Sequence, residues 1–354
     1  MATLYITASE AYSGKSALCV GLGKRSQRDG YTIGYMKPIF RVAQCLGGQR
    51  VDEDAAFMKQ VFGLQEPTTT LAPICVDDMA LEMAMQGRGK NVLQIIETAF
   101  ADVSREKDIV LLEGANGLMQ GFVIGAPPYE VSRLLKAREL LLVKWTGTRD
   151  IDYALAAREL LGKSLLGVVV NAVPHRQMEF VKDVVTPYLN KKGIKVYGVL
   201  PQERVLRSIS IRELAEAVNG EVLCCEDALD ELVENLMVGA MRVDSALSHF
   251  RLKANKAVIT GGDRPDIQLA ALETSTKCLV LTGNLHPSPI ILGRAEEMGV
   301  PMILVSKDTL TTVELAERAF YQARFHEPRK LARFEELMEE NFDFEGLYTD
   351  LGLK

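Results

Sequence analysis

Residues 7–16 read TASEAYSGKS. The segment follows an apolar run, TLYIT, and opens a helical pattern over residues 15–28. It is therefore a strand–loop–helix junction that closes in Gly-Lys-Ser, the context that separates a phosphate-binding loop from a chance match. Backbone N–H groups of such a loop and of the helix start face an anion. Gly14 permits close backbone approach, Lys15 brings a point charge to the β- and γ-phosphates, and the Ser16 hydroxyl suits Mg²⁺. Ser9 stands where the general pattern G-x-x-x-x-G-K-[ST] has its first glycine.

On either side of this loop, strand-length apolar runs alternate with helical patterns. The runs are TLYIT, TIGYM, DIVLLEG, ELLLVKW, LLGVVVNAV and IKVYGVL. Several are continuous, as parallel strands buried on both faces require. Residues 15–28 and 152–161 read as helices between them, giving an α/β sheet covered by helices. At residue 201 a proline and a polar turn lead into a short amphipathic helix. Three strand–turn–helix units follow, KAVITGGDRPDIQLAALE, KCLVLTGNLHPSPIILGRAEEMG and VPMILVSKDTLTTVELAERAF, which argue for a second, smaller parallel sheet. The expected domains are 1–203, 204–325 and a charged helical tail at 326–354. The tail packs on the body, mediates assembly or stands solvated.

The 354 residues are 47% hydrophobic and 25% charged with a net charge of −6, which gives no global basic footprint for nucleic acid. No apolar run reaches the ~20 residues of a membrane span, and the N-terminus lacks a basic region and a signal-type apolar stretch. A cytoplasmic protein is expected. Cys19, Cys45, Cys75, Cys224, Cys225 and Cys278 are scattered with no C-x-x-C pair, so they read as reduced thiols. His175, His249, His286 and His326 have no metal-ligand spacing.

The loop ASEAYSGKS resembles the G-T-D-x-x-x-G-K-T loop of the dethiobiotin synthetase family and its cobyrinic-acid amidase relatives, where a hydroxyl residue also replaces the first glycine. GYMKPIF resembles the family's strand ending in Lys-Pro, which implies that Lys37 enters the active site. VDEDAAF resembles its S-D-A segment and VLLEGANGL its V-E-G-A-G-G strand end. They imply Asp54 and Glu113 as metal-side carboxylates, with Ser16. GVVVNAV resembles the strand whose terminal Asn, here Asn171, reads adenine. The resemblance covers about residues 1–200 and implies a P-loop nucleotide fold that uses ATP and Mg²⁺. Glu10, Tyr12, Ser13, Gly14, Lys15, Ser16 and Asn171 form its nucleotide cradle, and Lys15 and Lys37 are its catalytic cations. Lys15, Lys37, Asp54 and Glu113 all lie at or just after apparent strand ends, the edge where open α/β sheets bind ligands. Three features depart from the family: the bulky pair Lys144-Trp145, Asn116 in place of a glycine, and residues 121–128 on the organic-substrate side.

The second part, from VGAMRVDSALSHF through AEEMGVPMILVSKDT, is similar to the DRTGG domain. The naming motif appears as GGDRPDI, so Asp263 and Arg264 match and Pro265 departs. Gly261, Gly262, Asp263, Arg264, Thr282 and Gly283 form a candidate site. The glycine turns present N–H groups to an anion and Arg264 clamps a phosphate or carboxylate. The alternative is that the glycines only make tight turns and Asp263–Arg264 is a structural pair. The fusion resembles the N-terminal half of long bacterial phosphotransacetylases without the acetyltransferase domain, and the resemblance implies a homodimer. Two readings follow. The first is a nucleotide-responsive regulatory protein whose partners are a nucleotide, a small-molecule effector and a protein. The second is an ATP-dependent ligase of the dethiobiotin synthetase type, which activates a carboxylate or carbamate by phosphoryl transfer.

Overall fold

β1 (Ala2–Ala8) is buried at every position, as are β2 (Ile33–Met36) and β3 (Ile109–Glu113). With β4 (Arg138–Lys144), β5 (Leu165–Val173) and β6 (Val196–Pro201) they form a parallel sheet in the order β2-β3-β1-β4-β5-β6. The continuous apolar runs follow from helices covering both faces. From β1 the chain first travels to the β3, β2 side and then crosses to β4 on the other side. β1 therefore lies at a topological switch point, with a crevice beyond its carboxyl end. The computed structural model describes residues 1–41, 51–115, 117–321, 323, 325 and 327–353. Cys45, Asn116 and His326 lie outside the described residues.

The chain divides into two compact units. Unit 1 is Met1–Gln202 with Phe325–Lys354, and unit 2 is Glu203–Arg324. The C-terminal segment thus returns to the first sheet. Helix Pro328–Asn341 buries Phe334, Leu337 and Met338 and packs on α1 (Lys15–Arg28). A Cβ on Gly21 of α1 would lie 3.1 Å from both Met338 and Phe334, so a small residue there lets the helices approach. Arg25 of α1 pairs with Glu339 at 2.5 Å. Phe342 then bridges to Gly198 of β6, and the Asp343 N–H donates to the Tyr197 carbonyl at 2.7 Å. In helix Phe344–Asp350 the Tyr348 hydroxyl meets Ser26 at 3.2 Å and Asp29 at 2.9 Å. The last helices hold α1 and the edge strand β6 together.

Glu139 on β4 is wholly buried; its Oε1 accepts a hydrogen bond from Ser132 at 2.5 Å, while Oε2 has no partner among the described residues. Burial pushes its carboxyl up to about 7, against the opposing hydrogen bond. The folded chain therefore holds a proton that the unfolded chain releases above its ordinary 4.5. Stability from this group is full below that value and is lost as pH rises toward about 7. Glu139→Gln is expected to remove a slope on the order of 1 kcal/mol per pH unit, read from urea midpoints of both proteins across that window. Parallel pH profiles for the two would contradict this assignment.

Unit 2 has a five-stranded sheet. Its strands are β7 (Glu221–Val222), β8 (Asn235–Val238), β9 (Lys256–Gly261), β10 (Thr276–Thr282) and β11 (Met302–Leu304). The order is β7-β11-β10-β9-β8, parallel except for β7. Alternate residues face opposite apolar layers: Val258 joins Phe250, Ile267 and Leu279, whereas Ala257 and Ile259 join Leu214, Val280 and Ile303. Helix Ile211–Val218 opens on a reciprocal cap in which Ser210 and Glu213 each bond the other's backbone N–H. Cys224 and Cys225 follow β7, and Cys225 takes a left-handed backbone with φ of 57°. No described helix is long and apolar enough to cross a membrane.

Candidate functional site

The loop after β1 is fastened on both sides. The Ser9 N–H donates to the Leu142 carbonyl at 3.0 Å, and the Ser9 hydroxyl accepts from the Lys144 N–H at 3.3 Å. Lys144 also pairs with Glu10 at 2.8 Å. Ser9 and Lys144 therefore stitch the loop to β4. Trp145 is buried in the apolar layer beside β5, with its indole N–H donating to Gln177 at 2.5 Å. The bulky pair at the end of β4 is thus used for loop anchoring and core packing.

Gly14 has φ of 98°, a left-handed conformation that glycine adopts without strain. A Cβ there would also stand 2.8 Å from the Asn171 amide nitrogen. Asn171, near the end of β5, donates that amide to the Ser13 carbonyl at 2.8 Å, so its side chain braces the loop backbone in this structure. The Ser13 hydroxyl donates to the Glu10 carbonyl at 3.0 Å, and Tyr12, with φ of 53°, is exposed.

Beneath the loop, five candidate residues converge. Lys15 is buried at the start of α1. Burial lowers its pKa, and Glu113 opposes that shift. The Ser16 hydroxyl donates to Glu113 Oε1 at 2.7 Å, and the Tyr35 hydroxyl donates to Oε2 at 2.8 Å. Glu113 ends β3 and is buried; burial raises its carboxyl, against Lys37. The Lys37 ammonium contacts Asp52 at 2.9 Å and Asp54 at 2.6 Å. Burial alone would lower Lys37, yet Glu113, Asp54 and Asp52 outweigh it and hold the amine protonated.

Helix α2 (Glu53–Phe62) begins where Asp52 caps it, its Oδ1 accepting from the Ala55 N–H at 2.8 Å. This register puts Asp54 in the first turn of α2, facing Lys37. The role of Asp52 is hidden in the acidic triplet Asp52-Glu53-Asp54; an Asp three residues before the cap's N–H partner was the available signal. Tyr35 is an ordinary apolar-strand aromatic in the sequence and carries no signal.

Among the described residues no three His, Cys, Asp or Glu side chains group as a metal site. The hydroxyl of Ser16 and the carboxylates of Asp54 and Glu113 are nevertheless all hard oxygens of the kind Mg²⁺ takes. That ion commonly uses one or two protein carboxylates and completes its shell with phosphate oxygens and water. The donor set fits Mg²⁺ held jointly with a phosphate ligand.

In unit 2 the candidate residues gather at the carboxyl ends of β9 and β10. A Cβ on Gly262 would lie 1.8 Å from the Leu285 carbonyl oxygen, so close backbone packing accounts for that glycine. The Gly262 N–H donates to the Thr282 carbonyl at 3.2 Å, and the Gly283 N–H to the Lys307 carbonyl at 2.9 Å. Thr282 meets Thr309 through their hydroxyls at 2.8 Å. Arg264 forks onto Asp266 at 3.0 and 2.9 Å and also reaches the Met241 carbonyl. A Cβ on Gly261 would stand 2.3 Å from Asp263 Oδ1, which turns back over the loop.

Comparison with known proteins gives a consistent pattern. An AAA domain family model matches residues 2–210 and a DRTGG domain model matches residues 213–319. A phosphate acetyltransferase of Synechocystis sp. is 28% identical over 329 residues, covering 88% of this chain and 46% of the relative. That of Nitratidesulfovibrio vulgaris is 26% identical, covering 96% of this chain and 50% of the relative. The chain spans about half the length of these phosphate acetyltransferases. The ATP-dependent dethiobiotin synthetase BioD of Caldicellulosiruptor saccharolyticus is 27% identical over 187 residues, covering 48% of this chain and 74% of the relative. The chain belongs to the AAA domain family, carries a DRTGG domain behind its P-loop domain, and resembles the N-terminal half of the phosphotransacetylases.

Proposed function

We propose that unit 1 binds ATP with Mg²⁺ at the loop of residues 8–16, and that the protein is a nucleotide-responsive regulator. The carrying observation is the convergence of Lys15, Ser16, Lys37, Asp54 and Glu113 beyond the switch-point strand β1. In this reading Lys15 and the loop N–H groups receive the phosphates. Ser16, Asp54 and Glu113 would hold the metal, and Lys37 offsets phosphate charge. Unit 2 takes a small effector or contacts a protein partner, and the assembly is a cytoplasmic homodimer.

Calorimetric titration of the whole chain with ATP, with and without Mg²⁺, tests the site. Saturable, Mg²⁺-dependent binding supports the reading, and no binding by the wild type sinks it. The pairing of Lys15 and Lys37 over one phosphate site also suits an ATP-dependent ligase. A turnover assay with diaminopelargonate and bicarbonate separates the two readings. ATP-dependent product that disappears in Lys15→Ala would replace regulation with catalysis.

A further inference from the structure

Asp52 divides its two oxygens between two tasks. Oδ1 caps α2 through the Ala55 N–H at 2.8 Å, and Oδ2 holds the Lys37 ammonium at 2.9 Å. The same ammonium reaches Asp54 Oδ2 at 2.6 Å. The two carboxylates are not equivalent. The side chain of Asp52 is 9% exposed and fixed at the helix start, whereas that of Asp54, two residues further on, is 32% exposed. Asp54 is the partner that a cation from solvent can reach. Lys37 is itself only 12% exposed, so a lysine that gave up both direct carboxylate contacts before a phosphate ligand arrived would keep only the field of Glu113 against the cost of burial.

We infer that Asp52 is a positioning residue that keeps Lys37 in the site while Asp54 passes to the metal. This rests on the Mg²⁺ and phosphate reading of the site given above. With Asp52 present, a divalent cation takes Asp54 and the ammonium keeps a charged partner. It then stays beside the phosphates. Without Asp52, the cation must strip Lys37 of the last direct carboxylate contact it has among the described residues. Metal and lysine then compete for one group. The capping bond ties this anchor to α2, so the helix that presents Asp54 and the counterion of Lys37 are placed by one side chain.

The test is the Mg²⁺ concentration that gives half-maximal ATP binding, measured by calorimetry on the full chain. Asp52→Asn and Asp52→Ser each retain a good helix cap, so amide hydrogen exchange across α2 like that of the wild type establishes that the helix is intact. Either variant is expected to raise the Mg²⁺ midpoint about tenfold, the low end for loss of a charge-assisted hydrogen bond. A general loss of negative field would also weaken Mg²⁺, so the decisive measurement is a double-mutant cycle with Lys37→Met. If Asp52 acts through Lys37, its removal changes the midpoint far less when residue 37 carries no ammonium. Equal effects of Asp52→Asn in both backgrounds overturn the inference while leaving nucleotide binding standing. Wild-type protein that binds no ATP at any Mg²⁺ concentration overturns the binding reading and the inference with it.

Discussion

Lys15→Ala weakens MgATP binding by at least ~30-fold, since truncating one partner of a buried charged pair costs about 2–5 kcal/mol and each 1.4 kcal/mol is tenfold. The geometry explains why the loss is large. Lys15 is 7% exposed and stands in the field of buried Glu113. Without it, the phosphates of an incoming nucleotide meet a buried carboxylate with one opposing cation fewer. Burial holds the Lys15 pKa below its ordinary value, and a polyanion that binds beside it opposes that shift by favouring the ammonium. Calorimetry on the variant, shown to be folded by its circular dichroism, checks the prediction. Affinity within threefold of wild type would mean that the loop does not read phosphate through this lysine.

Phe334→Ala is expected to destabilise unit 1 by about 3–5 kcal/mol, the usual range for emptying a buried phenylalanine site. Phe334 is 2% exposed and stacks edge-on against Phe325 at 5.3 Å. It also covers Gly21 on the helix that begins with Lys15. Against a typical total of about 5–15 kcal/mol, this loss is a large share. The urea midpoint of unit 1 should fall sharply, with ATP affinity falling alongside because α1 carries the loop. Unfolding within about 0.5 kcal/mol of wild type, the range of ordinary surface changes, would mean that the C-terminal helix contributes little to the first unit.

The main sheet was legible because parallel strands with helices on both faces leave unbroken apolar runs. VLLE and GVVV are short, apolar and valine-containing, which favours buried strands over helices. The start of α1 was legible from Gly14 and Lys15, and its bounds match the expected 15–28. Shorter pieces were not legible. The pair Ile39–Arg41 with Ile74–Val76, and β7, are only two or three residues long and depend on their partners. β8 is half-buried at every position, so its NLMV lacks both alternation and a clean apolar run. The helical character of the charged tail was readable, but not the body it covers, because the close approaches at Gly21 and Gly198 are made by residues distant in sequence. In the site, the loop motif pointed to Lys15 and Ser16, and the family resemblance to Lys37, Asp54 and Glu113. The division of labour between Asp52 and Asp54 needed the helix register, and the bracing of Ser13 by Asn171 needed the contact between residues 158 positions apart.

The return of residues 325–354 to the first sheet has a consequence for synthesis on the ribosome. All six strands of the main sheet have been made by Pro201, yet the cover over α1 is encoded beyond the 122 residues of unit 2, counted from 203 to 324 inclusive. At about 5–20 residues per second, that gap lasts roughly 6–24 s. During that interval the face of α1 around Gly21 waits bare, and unit 2 emerges whole. The smaller unit can finish folding first, although the larger one was begun earlier. Nascent-chain arrest before residue 325 should therefore leave a loose first unit that binds hydrophobic dyes, and release past residue 350 should quench that signal.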